Sequence, residues 1–241
     1  MACTNADLAR DLAPTGVLRA SINLGNPVLA QGTPELPSGI TVELAHEIAA
    51  RLNLSVEFVC FDAARKSYAA MVEGQADLCF LAVDPAREAE VTFSTPYVHI
   101  EGVYAVPVNS AFASADEVDR DEIRIGVKKG SAYDLYLART LRHATVVRGD
   151  EGVDVFHAEG LDVAAGIRQP LSSHVAQRPD LRLLEPAFMT IRQAIGTTKT
   201  RGTETTRFLS ETVAELLASG FVAQALRRSG QEPTLAAPAA T

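Results

Sequence analysis

An arginine follows an apolar run and precedes an aromatic turn. The run is Asp77-Leu78-Cys79-Phe80-Leu81-Ala82-Val83; Asp84-Pro85-Ala86-Arg87 comes next, ahead of Val91-Thr92-Phe93-Ser94-Thr95-Pro96-Tyr97. A guanidinium held there can grip a carboxylate through two parallel hydrogen bonds, which a lysine ammonium cannot match. The plainer alternative is an arginine paired with Glu88 or Glu90 on a solvated helix. A second anion site is written in Gly130-Ser131. A helix opening there aims the amides of Ser131, Ala132 and Tyr133, and its positive dipole end, at a negative group. Ser131 can equally be a simple helix cap. A third candidate is Arg168, which either faces a ligand or lies on the surface before a Gln169-Pro170 turn. His46, His99, His143, His157 and His174 are isolated in sequence, and no metal or cofactor is expected.

Composition narrows the partners. The chain has 241 residues, 47% of them hydrophobic and 22% charged, with a net charge of -8. That length suits two modest domains. The acidic balance and scattered basic residues exclude a nucleic-acid partner. No apolar run approaches the roughly 20 residues of a membrane span. The stretch Met1-Ala2-Cys3-Thr4-Asn5-Ala6-Asp7 lacks the charged and apolar regions of a signal peptide. Cys3, Cys60 and Cys79 form no metal or disulfide pattern, and Cys3 has no apolar stretch before it to make a lipidation site. Cys60 and Cys79 read as small buried hydrophobes.

The elements that must position these residues alternate between strand and helix. Strands are expected over 17–22, 54–61, 77–83, 103–108, 123–127, 145–147, 161–165 and 188–197. Helices are expected from Thr41, as cap, to Leu52, over 64–73, over 132–141, over 203–218, and again over 221–228 after a break at Gly220. A helix start is expected over 113–117. Asp84 is expected to cap a helix beginning at Pro85. The near-continuous apolar run of 77–83 marks a strand buried on both faces. The Ala- and Pro-rich tail, 233–241, is expected to be disordered. Such alternation argues for parallel α/β sheets. The pattern restarts after about residue 108, as two lobes would.

Several spaced motifs together resemble the bilobal solute-binding proteins of amino-acid ABC importers, the bacterial extracellular solute-binding proteins of family 3. Asp84 to Tyr97 is similar to that family's Thr-Pro-Glu-Arg followed by Val-x-Phe-Ser-x-Pro-Tyr. Gly39 to Ala45 resembles its Gly-x-x-x-Asp-Leu, and Val72 to Asp77 its Leu-x-x-Gly-x-x-Asp. Ile125 to Ser131 resembles its Val-Gly-Val-x-x-Gly-Thr, and Leu216 to Gly220 its Leu-x-x-x-Gly. The match runs from Gly16 to Gly230. It implies a two-lobed type II periplasmic-binding-protein fold, with two α/β lobes joined by a two-strand hinge. Lobe 1 is then 1–104 plus 193–241 and lobe 2 is 105–192, with the ligand in the cleft and closure by a hinge. It further implies a monomer that presents a small carboxylate ligand to a membrane permease. Periplasmic location follows from the resemblance; a full-length chain without a signal peptide would be cytoplasmic.

Carried residue by residue, the resemblance makes Arg87 the holder of the ligand carboxylate. Ser131, with the amides of Ser131, Ala132 and Tyr133, becomes the second-lobe contact. The backbone of Ala82 and Val83 lies where the family offers further polar contacts. Tyr97 and Tyr104 read as hinge packing. Three departures stand out. The segment from Asp77 to Arg87 is two residues short. Asn26 before Pro27 replaces a stacking aromatic, which predicts a smaller or more polar wall. The acid that holds a ligand ammonium should fall five residues after Asp162, at Ile167, beside Arg168. A keto acid or dicarboxylate held between Arg87 and Arg168 is therefore one expectation, and an ammonium held by Glu101 another. Some relatives on this fold are cyclohexadienyl or arogenate dehydratases. An enzyme reading nominates Glu101, Asp84 or Glu159 as general acid. A cytoplasmic ligand sensor is a third reading.

Overall fold

A computed structural model describes residues 4–238 of the chain. The readings made for Met1 to Cys3 and for residues 239–241 lie outside the described residues. The chain divides into two compact units, Met1–His99 with Arg192–Thr241, and Ile100–Ile191. Each holds its own set of paired strands.

The first unit begins with α1 (Asn5–Leu12), which the sequence reading missed. Thr4 and Asp7 close a reciprocal capping box at its start, and Leu8 and Leu12 are its buried face. Then come β1 (Val17–Asn23), a small antiparallel ribbon of β2 (Gln31–Gly32) and β3 (Pro37–Ser38), α2 (Ile40–Leu52), β4 (Ser55–Phe61), α3 (Ala64–Val72) and β5 (Leu78–Ala82). Strands β4 and β5 flank β1, both parallel to it. All five residues of β5 are buried, as the continuous apolar run requires. Helix α2 is capped by Gly39, not Thr41. Gly39 takes φ 103°, and a Cβ there would come within 2.7 Å of the Leu29 carbonyl. The Thr41 hydroxyl instead reaches back to that carbonyl from inside the first turn, at 3.3 Å. Asn53 ends α2 in the left-handed conformation.

The chain leaves this unit along β6 (Val91–Pro107), which starts twelve residues before the expected 103. The second unit continues with β7 (Arg124–Lys128), α4 (Ala132–Thr140), β8 (Thr145–Gly149), α5 (Gly152–Glu159), β9 (Val163–Ile167) and α6 (Arg168–Ala176). Strand β7 lies between β8 and β9, parallel to both, and β6 runs antiparallel to β9. Helices α5 and α6 were not read from sequence. The expected Gln169-Pro170 turn is the first turn of α6, where proline's missing N–H costs no helical bond. Residues 115–117 form one 3₁₀ turn instead of a helix.

Strand β10 (Leu181–Thr198) returns to the first unit, where it pairs antiparallel with β5. Helices α7 (Thr203–Ala218) and α8 (Phe221–Arg228) come last, separated at Gly220 as expected, with φ 75°. The described part of the tail is ordered, against expectation. Residues 233–235 make a 3₁₀ turn, Ala236 bridges to Val98, and the Ala237 amide donates to the Tyr97 carbonyl at 2.9 Å. Among the described residues no helix is long and apolar enough to cross a membrane.

Candidate functional site

Parallel α/β sheets bind ligands beyond the carboxyl ends of their strands. In the first unit that edge carries Asn26, just beyond β1, and the stretch from Ala82 to Arg87 at the end of β5. In the second it carries Ser131 to Tyr133, just beyond β7, and Arg168, just beyond β9. The topology thus brings the sequence-predicted residues of each unit to one edge of that unit's strands.

Arg87 is only 3% exposed. Its Nη1 donates to the Ala82 carbonyl at 3.0 Å. Burial pulls the guanidinium pKa down, and the nearby Asp84 carboxylate opposes that. A solvated helical arginine is therefore excluded. Residues 85–90 are consecutive turns and not a helix. Asp84 initiates them, its Oδ1 accepting from the Ala86 amide at 2.9 Å and its carbonyl accepting from Arg87 and Glu88. Strand β5 ends at Ala82, and its last carbonyl serves the arginine.

Asn26 is buried. Its Oδ1 accepts from the Val28 amide at 3.3 Å, so it shapes the turn after β1. Ser94 is likewise engaged, accepting from the Ile195 amide at 3.1 Å and donating to the Thr95 carbonyl at 2.8 Å. Tyr97 meets Phe80 edge to face at 6.4 Å and is fully buried. Its hydroxyl has no hydrogen-bond partner, and burial raises its pKa.

In the second unit Ser131 caps α4, its Oγ accepting from the Asp134 amide at 3.1 Å. Asp134 in turn accepts from the Gly130 amide at 2.8 Å and from Arg148 at 2.9 Å. The capping role is therefore shown for Ser131. Ala132 and Tyr133 are the first residues of α4, whose amides have no intrahelical acceptor. Lys128 and Glu151 form an ion pair beside this turn. Tyr104 stacks on Phe188 at 4.2 Å, and Tyr136 adds to the stack at 6.1 Å.

Arg168 does not stand alone. Its Nε donates to Glu101, and its Nη1 and Nη2 donate to the two oxygens of Glu185 at 2.6 and 2.8 Å. Glu101 reaches it because Gly102 pairs with Ile167 across β6 and β9. The Glu185 bonds, then the Glu101 bond, hold the guanidinium pKa above its ordinary value, and Arg168 holds Glu185 below its own. The cluster keeps one surplus negative charge. Glu185 was missed from sequence: it is far along the chain and in no motif. So were the Lys128–Glu151 and Asp134–Arg148 pairs.

Burial pushes the Cys79 thiol up to about 12. Among the described residues no group of three or more His, Cys, Asp or Glu side chains is arranged to hold a metal ion.

No curated protein matches the chain. Solved structures do. A mutant of ArgBP from T. maritima superposes with a TM-score of 0.74 at 19% identity, covering 92% of this chain and 99% of that one. Cysteine-Binding Protein from Campylobacter jejuni gives 0.74 at 18% identity, covering 93% and 92%. The ancestral amino acid-binding protein AncCDT-1, described as a precursor of cyclohexadienyl dehydratase, gives 0.73 at 15% identity, covering 91% and 97%. These likenesses establish the two-lobed type II periplasmic-binding-protein fold. The family model for bacterial extracellular solute-binding proteins, family 3, matches residues 25–231, and the chain belongs to that family.

Proposed function

We propose that this chain is a non-catalytic binding protein that captures a free α-amino acid and presents it to an ABC permease. Arg87 takes the ligand's carboxylate, helped by the amides that open α4. Glu101 and Glu185 take its ammonium. The observation that carries this reading is the pairing of Arg168. A guanidinium already spanned by two carboxylates is poorly placed to hold a second ligand carboxylate, and the surplus negative charge suits a cation. The keto-acid or dicarboxylate reading needs Arg168 unpaired. The candidate general acids are also engaged: Glu101 with Arg168, Asp84 in its turn, and Glu159 with Arg124 at 2.7 Å. That favours binding over dehydration.

The test is a thermal-shift and calorimetric panel of amino acids, keto acids and dicarboxylic acids, with a prephenate turnover assay alongside. A ligand at 100 times its Kd adds about 2.7 kcal/mol of stability. Stabilisation by α-amino acids that disappears in Arg87→Met is the expected result. Stabilisation by diacids alone, or prephenate turnover, overturns the proposal.

A further inference from the structure

Two histidines that are isolated in sequence meet in space. His157 lies in the last turn of α5 and His174 in the last turn of α6. Their Nε2 atoms are 3.3 Å apart, joined by a hydrogen bond whose donor depends on the tautomers, and the ring centroids are 5.5 Å apart. Two imidazoles on one tetrahedral metal ion, at the usual metal–nitrogen length of about 2.0–2.1 Å, place their nitrogens about 3.3–3.4 Å apart. The pair already has that spacing. We propose that His157 and His174 form a surface site for a divalent transition-metal ion of the Zn²⁺ class, unrelated to the amino-acid site, with water completing the coordination.

Helix polarity supports a cation here. Both helices direct their negative C-terminal ends at this point, each within a turn of its histidine. Arg178, itself held by Asp180 at 3.2 Å, opposes a cation at His157, and Asp180 before β10 and Asp154 on α5 favour one. Burial, Arg178 and His174 lower the His157 pKa. His157, without His174, also lines a cavity of about 430 Å³, with Pro107, Val108, Phe156, Leu161 and Leu181. The strands reach this cavity at Pro107 and Leu161, at the opposite edge of the sheet from Ser131 and Arg168.

The probe is ZnSO₄ titrated into the tag-free full chain and followed by calorimetry. One Zn²⁺ binds per chain near neutral pH. Affinity falls by about tenfold or more in His157→Gln and in His174→Gln, and is unchanged in His46→Gln. Long-range ¹H–¹⁵N spectra of the unmutated chain give an independent reading: Zn²⁺ moves the Nε2 resonances of both histidines together. No saturable binding below about 1 mM Zn²⁺, or binding that leaves those two resonances unmoved, overturns the proposal.

Discussion

Replacing Arg168 by methionine separates the two ways in which this family member could hold its ligand. Arg168 binds Glu101 through Nε and Glu185 through both terminal nitrogens. Its side chain is 26% exposed, Glu101 is 47% exposed and Glu185 62%. Ion pairs this exposed contribute about 0–1 kcal/mol each, so Arg168→Met should lose no more than about 2 kcal/mol of stability and stay folded. The electrostatic change is larger. One surplus negative charge becomes two. A ligand ammonium about 4 Å from the added charge gains about 1 kcal/mol in a water-like medium and about 4 kcal/mol in a protein-like one. Glu101 and Glu185 also lose the group that fixed them, which offsets part of that gain. The net expectation for an α-amino acid is a Kd unchanged or tightened by up to about tenfold. If Arg168 held the ligand's carboxylate, two charge-assisted bonds of about 1.5–3 kcal/mol each would vanish. The Kd would then rise by about two to four orders of magnitude. Calorimetry near neutral pH measures the difference directly. An Arg168→Met protein with native circular dichroism that binds its amino acid at least a hundredfold more weakly refutes the assignment of the ammonium to the glutamates.

Other perturbations test the scaffold. Asp77 is fully buried and accepts from the Arg19 amide, Nε and Nη2 at 3.0, 3.0 and 2.8 Å and from Arg201 at 3.2 Å. Asp77→Ala strands both cations and should cost about 3–5 kcal/mol, seen as a lower urea midpoint; a loss under about 1 kcal/mol contradicts that. Cys79 is fully buried with its thiol raised to about 12, whereas Cys60 is part-exposed. Iodoacetamide on the native chain should modify Cys60 well before Cys79, and peptide mass mapping that finds the reverse order argues against the burial. Arg168 depresses the Glu185 pKa from its ordinary 4.5, so that pair's contribution is complete above about 4.5 and fades as pH falls through the lower folded value. Glu185→Gln should therefore flatten the acid limb of the stability profile by less than about 1 kcal/mol, and an equal effect at neutral and acid pH would be inconsistent with linkage.

What the sequence could announce depended on range. Strand β5 was legible because burial on both faces leaves an unbroken apolar run. Helix α4 was legible because Gly130-Ser131 marks its start. The break at Gly220 was legible because a left-handed residue there suits glycine. Helices α5 and α6 are short, with narrow apolar faces, and Pro170 in the first turn imitated a loop. The tail's composition described a disordered segment, but two backbone hydrogen-bonding groups on β6 decided otherwise. Arg168 shows the limit most clearly. Its charge was visible, but its partners sit on β6 and β10, 67 and 17 residues away. Ion pairs between distant strands leave no periodicity and no fixed spacing to read.

The discontinuity of the first unit has a consequence during synthesis. Cys79 on β5 pairs with Gly196 on β10, so 117 residues must be added before that edge of the sheet is covered. At typical rates of about 5–20 residues per second, β5 waits about 6–23 s for its neighbour. The second unit is contiguous and can close on itself during that interval. An all-apolar strand with an unpaired edge is thus displayed by every nascent chain. The vulnerable period of this protein lies in translation, and a factor that shields β5 would act before β10 emerges.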